Sequence, residues 1–193
     1  MDYQFLAHAQ TIDNDTLSHM MDDYGNDVWN YVYFLTKSTE LADEVSQEVF
    51  IRVYSGIAHF RGESSLKTWL LTITRNTTFT YRKSRFFRSS LWGETLSIQT
   101  EQEYSTGREM IPDTYAHPSA EAEVLSKEHV HEIWDIVMAL SDKFREILLL
   151  HLKYELHTNE IAEMLRISTG TVKSRLSRGK AKVQKQWEER SES

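Results

Sequence analysis

The chain has 193 residues, a formal net charge of −7 and 40% hydrophobic residues, enough apolar material for one ordinary domain or two small ones. It contains no cysteine, which excludes disulfides, thiolate zinc sites and cysteine nucleophiles. Only 7 glycines and 2 prolines are present, which favours an all-α fold over an all-β one. The sequence starts without a basic stretch followed by an apolar run, and no stretch approaches the roughly 20 apolar residues of a membrane span. We therefore expect a cytoplasmic protein with no membrane insertion.

Charge is distributed unevenly along the chain. Residues 1–60 hold 10 acidic and 2 basic side chains, whereas residues 61–90 hold 7 basic and 1 acidic. Residues 91–123 hold 7 acidic and 1 basic, and residues 166–185 hold 7 basic and none acidic. A basic run alone is equally typical of a solvated helix face. The two basic segments are nevertheless the candidate nucleic-acid surfaces, although the net charge by itself argues against such a ligand.

Apolar residues recur at helical spacing from Tyr24 to about Arg85, and this pattern predicts three successive amphipathic helices. The third helix follows a short loop, residues 58–65, in which glycine and serine break the periodicity. Ser64 or Ser65 is placed to cap the N-terminus of that helix. Residues 1–19 carry no pattern from which a structure can be predicted.

A second region without sustained periodicity, residues 89–122, contains both prolines and many serine, threonine and glutamate residues. Connections longer than about 15 residues are uncommon within one compact domain, so we interpret this region as a linker. Periodicity then resumes and predicts four more helices, the last extending toward Glu188. The expected fold is therefore two small helical domains, residues 1–90 and 123–193, joined by a flexible acidic linker, residues 91–122.

Two of the predicted C-terminal helices have the pattern of a helix-turn-helix. Ala162 is small enough to let the second helix cross closely, and Val172 and Leu176, four residues apart, face the core. A plain three-helix core can show the same apolar spacing. The residues left on the outer face suit the major groove, where lysine and arginine donate to guanine: Lys173, Ser174, Ser177, Arg178 and Ala181. The flanking cations are expected to bind phosphates: Arg175, Lys180 and Lys182.

The same part of the chain resembles region 4 of bacterial sigma factors, which give RNA polymerase its promoter specificity. The similarity rests on residues 140–150 (LSDKFREILLL), 160–162 (EIA) and 170–179 (GTVKSRLSRG). Region 4 binds the −35 promoter element, so the resemblance implies −35 DNA binding by Lys173, Ser174, Arg175, Ser177, Arg178 and Lys180. One departure is Arg166, where the family usually has glycine at the turn. A left-handed backbone there costs a non-glycine residue about 1 kcal/mol. Ser168 is placed to cap the helix that follows.

Residues 42–54 (ADEVSQEVFIRVY) resemble region 2.2 of the same family, the helix that docks on the clamp helices of the polymerase β′ subunit. Val45, Val49 and Val53 recur at four-residue spacing and are expected to face the core. The resemblance then implies a polymerase-binding surface formed by Asp43, Glu44, Gln47 and Glu48. Without the neighbouring motif, such an acidic face is more typical of simple solvation.

Residues 60–76 (FRGESSLKTWLLTITRN) are similar to the family's loop and helix for the −10 element. Melting a promoter requires a pocket for an extruded base and cations for the single-stranded backbone. The resemblance assigns −10 DNA binding to Arg61, Gly62, Glu63, Ser64, Ser65, Arg75, Asn76, Arg82 and Lys83. Trp69 is expected in the core. Four further aromatic residues can stack on bases, although burial is expected for at least half of them: Phe79, Tyr81, Phe86 and Phe87.

Together and in this order, the motifs resemble the extracytoplasmic-function group of the sigma-70 family. The resemblance implies these partners: core RNA polymerase through the β′ clamp helices and the β flap, promoter DNA as a −35 duplex and a −10 single strand, and an anti-sigma factor. It implies no cofactor, no metal and no enzymatic activity, and HExxH, P-loop and GxSxG patterns are absent. The alternative is an autonomous helix-turn-helix regulator of duplex DNA, which would leave the motifs within residues 42–76 unexplained.

Overall fold

A computed structural model describes residues 3–92 and 120–191, with side chains for residues 3–84 and 130–190. The chain divides into two compact units, residues 1–102 and 103–193. The regular elements in the described ranges are helices, which confirms the prediction of an all-α protein with two domains. Among these described helices, none has the length and hydropathy that a bilayer crossing requires. Most of the predicted linker lies outside the described residues, and its flexibility stays a prediction.

The N-terminal unit contains the three predicted helices: α1 (Asn14–Thr36), α2 (Thr39–Gly56) and α3 (Leu66–Trp92). Two short 3-10 helices accompany them, Gln4–His8 before α1 and Ile57–His59 after α2. Helix α1 starts well before Tyr24 because Asp13 caps it, accepting a hydrogen bond from the Thr16 amide at 2.6 Å. Helix α3 runs slightly past the predicted end of the first domain at residue 90.

The core of the N-terminal unit lies between the inner faces of its three helices. Val45, Val49 and Val53 are completely buried, as their four-residue spacing predicted. Trp69 packs half-buried against this core, and its ring centroid lies 5.2 Å from that of Phe60, which confirms its expected place. Each fully buried aliphatic side chain stabilises the fold by roughly 1.5–3 kcal/mol.

Residues 3–12, which we name the N-terminal segment, belong to the same core. Tyr3, Leu6 and Ile12 are 5%, 1% and 6% exposed. The segment contains the first 3-10 helix and leads directly into the cap of α1. This part of the chain, for which the sequence had no predictive pattern, is therefore an integral part of the domain.

The C-terminal unit contains the four predicted helices: α4 (Ala120–Ala139), α5 (Asp142–Leu152), α6 (Thr158–Leu165) and α7 (Thr169–Ser191). Its core includes Ile147, Ile161 and Val172, all completely buried. Gly179 faces α5, where an added Cβ would lie 3.2 Å from Cγ of Leu148. The missing side chain therefore lets α7 lie closely against α5.

A buried arginine joins the end of α4 to the start of α5. Arg145 is 4% exposed, and its Nη1 donates to the carbonyl oxygens of Met138 at 3.1 Å and Leu140 at 3.3 Å. Its Nη2 donates to Oδ1 of Asp142 at 2.8 Å. The last carbonyls of a helix have no partner within that helix, so Arg145 supplies donors where α4 ends.

Candidate nucleic-acid and polymerase interfaces

The turn between α6 and α7 has the geometry of a helix-turn-helix. Arg166 adopts φ 54° and ψ 46°, the left-handed conformation that glycine usually provides. The next amide, that of Ile167, donates to the carbonyl oxygen of Ala162 at 3.0 Å. Ser168 Oγ accepts from the Thr171 amide at 3.1 Å and caps α7, as predicted. The turn thus keeps its usual shape despite the arginine, with a strain of about 1 kcal/mol.

The outer face of α7 presents the side chains that the pattern placed there. Lys173, Ser174, Ser177 and Arg178 are exposed, whereas Val172 and Leu176 are buried. Arg178 donates from Nη2 to Oγ of Ser174 at 2.6 Å and from Nε to the Ser174 carbonyl at 3.3 Å. The guanidinium is therefore held along the helix surface in a fixed direction.

The flanks of α7 carry the cations predicted to bind phosphates. Lys180 and Lys182 are exposed, and Arg175 is half-buried. The Nζ of Lys182 lies 5.8 Å from the ring centroid of Phe144 on α5. The basic segment thus divides into an outward face of small and basic side chains and a flank of longer cations.

The polar face of α2 contains the four residues predicted to bind polymerase. Asp43, Glu44 and Gln47 are exposed, and Glu48 is half-buried beside Arg52, whose Nε lies 2.7 Å from Glu48 Oε1. Asp43 Oδ1 accepts a hydrogen bond from the indole Nε1 of Trp29 at 2.7 Å. Trp29 stacks on Tyr33 with ring centroids 5.5 Å apart and planes within 5°.

Two apolar side chains continue this α2 surface toward its C-terminus. Ile51 and Tyr54 are 62% and 49% exposed, and they follow Gln47 and Glu48 at helical spacing. The sequence pattern did not predict their exposure, although both lie on the side of α2 opposite the buried Val45, Val49 and Val53. Exposed apolar side chains bordered by polar ones are typical of a protein contact surface.

The loop before α3 presents its polar side chains outward. Arg61, Gly62, Glu63 and Ser65 are exposed and Ser64 is half-buried. Ser65 Oγ accepts from the Thr68 amide at 3.0 Å, so Ser65 is the predicted cap of α3. Gly62 has φ +70°, a conformation that favours glycine. One of the serines predicted to contact DNA therefore already has a structural role.

The basic face of α3 surrounds an exposed phenylalanine. Asn76, Arg82 and Lys83 are exposed and Arg75 is half-buried. Phe79 is 39% exposed, with the Arg75 and Arg82 guanidinium carbons 4.6 Å and 5.9 Å from its ring centroid. All four polar residues lie three or four positions from Phe79, so they are its neighbours on the helix surface.

The other aromatic residues of α3 differ from Phe79. Tyr81 is half-buried and packs against the core, whereas the side chains of Phe86 and Phe87 lie outside the described residues. Arg82 also donates from Nη1 to the carbonyl oxygen of Leu35 at 3.3 Å, which ties this face of α3 to the end of α1. Among the α3 side chains that the structure describes, Phe79 is the large aromatic one that is exposed.

Within residues 3–84 and 130–190, histidine, aspartate and glutamate side chains do not gather in a group of three that could hold a metal ion. The carboxylate of Asp13 caps α1, where it accepts a hydrogen bond from the Thr16 amide.

Comparison with known proteins assigns the two halves of the chain to one family. The family model for Sigma-70 region 2 matches residues 20–86, and the model for Sigma-70 region 4 matches residues 131–183. The chain belongs to the sigma-70 family, in its extracytoplasmic-function group. The range that matches region 2 includes the α2 surface, the loop before α3 and the basic face of α3. The range that matches region 4 includes α7 up to residue 183.

Individual relatives are similar along most of their length. The extracytoplasmic-function sigma factor SigW of Bacillus subtilis is 29% identical over 174 residues, which cover 90% of each chain. The sigma factor YlaC of the same organism is 26% identical over 171 residues, covering 89% of this chain and 91% of YlaC. The solved structure of the sigma factor RpoE of Bartonella quintana, in complex with the anti-sigma factor NepR, has a TM-score of 0.63 at 18% identity. It covers 87% of this chain and 94% of RpoE, and it supports the same fold.

Proposed function

We propose that this sigma factor binds core RNA polymerase and directs it to promoters that have a −35 and a −10 element. The observation that carries the proposal is the presence of regions 2 and 4 in one chain, each with an exposed basic helix face. An autonomous DNA-binding protein needs only the second of these. The protein contributes binding and specificity and catalyses no reaction of its own.

Helix α7 is proposed to enter the major groove of the −35 element. Lys173, Ser174, Ser177 and Arg178 face outward and can meet base edges, while Arg175 and Lys180 on the flanks are suited to phosphates. The hydrogen bonds from Arg178 to Ser174 reduce the freedom of the guanidinium. A donor that is already oriented loses less entropy when it pairs with guanine.

The loop and α3 are proposed to bind the melted −10 element. Arg61, Gly62, Glu63, Ser64 and Ser65 form the loop that would receive an extruded base. On α3, Asn76 can read a base edge, and Arg75, Arg82 and Lys83 can follow the phosphates of a single strand. The mixture of polar loop and cationic helix suits a ligand that presents both unpaired bases and a charged backbone.

The α2 surface is proposed as the polymerase-binding site. Asp43, Glu44, Gln47 and Glu48 would dock on the β′ clamp helices, and the C-terminal unit would contact the β flap. An anti-sigma factor is a further proposed partner, supported by the complex of the similar RpoE with NepR. Because polymerase and promoter DNA are cytoplasmic in bacteria, we propose that the protein acts there.

The test is run-off transcription from a library of promoter fragments, with core polymerase and the protein added separately and together. Initiation that needs both components and selects a shared two-part sequence is the expected result. Binding of duplex DNA by the protein alone, with no initiation in the presence of polymerase, would instead support the autonomous regulator. A variant with Glu44→Arg should lose initiation through weaker polymerase binding, while a variant with Arg190→Ala, beyond the matched part of α7, should keep it.

A further inference from the structure

The N-terminal segment lies outside the residues that match region 2, and none of the surfaces assigned above includes it. Its buried side chains Tyr3, Leu6 and Ile12 share one core with Phe60 and Leu66. These last two residues flank the loop that is proposed to receive a −10 base. The segment therefore packs on the inner side of that loop.

The segment and the loop approach each other closely at Gly62. A Cβ added to Gly62 would lie 2.9 Å from the Cβ of Ala7, nearer than two such carbons approach in real proteins. The first 3-10 helix also contacts the second one, Ile57–His59, immediately before the loop. At Gly62 the loop backbone therefore lies against the segment with no room for a side chain between them.

The segment also contacts α1 through a hydrogen bond and a pair of aromatic rings. The hydroxyl of Tyr3 donates to Oδ2 of Asp23 at 2.7 Å, and its ring centroid lies 5.9 Å from that of Tyr24. Burial, together with this hydrogen bond, raises the pKa of Tyr3, and the same bond lowers the pKa of Asp23. Around neutral pH the tyrosine is therefore a stable donor and the aspartate a stable acceptor.

We infer that the N-terminal segment is a positioning element for single-stranded −10 DNA. By holding the backbone at Phe60 and Gly62, it fixes the directions in which Arg61 and Glu63 face an extruded base. The inference rests on the proposed function. Its physical basis is that exposed polar side chains do not order a loop by burial, whereas a base pocket requires a fixed backbone. Apart from the cap at Ser65, the order comes from the side of the loop that faces the core.

A purely structural role predicts a different outcome, because loss of stability would weaken each activity of the domain alike. The test uses the full chain with core polymerase on a promoter recovered from the run-off library. One pair of variants compares Leu6→Ala with Val32→Ala, a fully buried control in α1 outside the segment. A second pair compares Gly62→Ala with the double variant Gly62→Ala and Ala7→Gly, which removes the opposing Cβ.

Three quantities are measured for each variant: the thermal midpoint by circular dichroism, the affinity for core polymerase, and promoter opening by permanganate reactivity of unpaired thymines. Leu6→Ala should reduce opening on the order of tenfold with polymerase affinity unchanged, since misplaced binding groups lose much of their effect. Val32→Ala should reduce opening less than Leu6→Ala does for the same fall in the thermal midpoint. Gly62→Ala should reduce opening through both the clash with Ala7 and the backbone strain at its φ of +70°, and Ala7→Gly should restore the part that is due to the clash.

The inference is overturned if Leu6→Ala and Val32→Ala reduce promoter opening in proportion to the fall in their thermal midpoints. It is also overturned if adding Ala7→Gly to Gly62→Ala restores no promoter opening. Failure of the wild-type protein to open any promoter with polymerase is a separate result. That outcome refutes the proposed function itself, and the inference with it.

Discussion

Replacing Arg145 by methionine tests how the C-terminal unit is held together. Two carbonyl oxygens, those of Met138 and Leu140, lose a charged donor, and each costs about 1–3 kcal/mol when left unpaired. The ion pair with Asp142, whose side chain is 64% exposed, adds at most about 1 kcal/mol. Methionine nearly fills the vacated volume, so little cavity cost is added. We expect the free energy of unfolding of this unit to fall by about 2–7 kcal/mol.

Native-state hydrogen exchange of the full chain measures this loss unit by unit. The amide of Leu148 in α5 should lose protection equivalent to about 2–7 kcal/mol, while the amide of Val49 in α2 should be unaffected because it belongs to the other unit. Asp142→Asn is the matched control and should cost no more than about 1 kcal/mol. The reasoning is refuted if Asp142→Asn costs as much as Arg145→Met, since the ion pair would then hold the junction instead of the carbonyl contacts.

Three further predictions concern the proposed surfaces and the cap of α1. Arg178→Ala should weaken −35 binding by about 1–3 kcal/mol and relax the preference at one base pair. Lys180→Ala should weaken binding to all DNA sequences alike, and it should lower the slope of log binding constant against log salt concentration by about 1. Quantitative footprinting at several salt concentrations separates the two, and an equal loss of specificity would contradict the assignment. Phe79→Ala should weaken binding of single-stranded −10 DNA by about 1–3 kcal/mol in fluorescence anisotropy with polymerase present, and Phe79→Tyr should not. The hydrogen bond from the Thr16 amide lowers the pKa of Asp13 in the folded protein. The cap therefore contributes to the free energy of unfolding above the unfolded pKa near 3.8, and this contribution is lost as pH falls through the lower folded pKa. Urea unfolding between neutral pH and about pH 2 should therefore show the stability difference between wild type and Asp13→Asn shrinking below about pH 4, and a difference independent of pH would exclude the mechanism.

The local features of the fold were predictable because their determinants are close in sequence. Val45, Val49 and Val53 lie on one helix face by spacing alone. Ser65 and Ser168 cap the helices that begin directly after them, and the capping bonds span three residues. The left-handed turn at Arg166 follows from the two helices it joins. In each case the sequence pattern and the structure describe the same short-range geometry.

The remaining features depend on contacts that no local pattern contains. The N-terminal segment has a five-residue 3-10 helix, too short for a periodic signal, and Ala7 meets Gly62 far along the chain. Arg145 is buried although charged residues are usually exposed. Its partners are backbone carbonyls near a helix end, and because every helix ends in such carbonyls, no sequence pattern marks the ones that it binds.

The sequence predicted which residues belong to the candidate sites better than it predicted the contacts between them. Residues of the α7 face are outward as expected, since helix geometry alone determines which positions oppose the core. The hydrogen bond between Trp29 and Asp43 joins two helices across 14 positions, so it could not be read from either helix. The neighbours of Phe79 were all named in the sequence, but its own exposure required the packing of α3 to be known.

The hydrogen bond from Trp29 to Asp43 also gives the proposed polymerase-binding surface a built-in optical reporter. A cationic partner that takes the carboxylate of Asp43 competes with the indole N–H for it. The excited state of an indole responds to such a change in its surroundings, so docking should shift the contribution of Trp29 to the emission of the chain's 5 tryptophans. Asp43→Asn weakens the same bond in the free protein and supplies the reference spectrum.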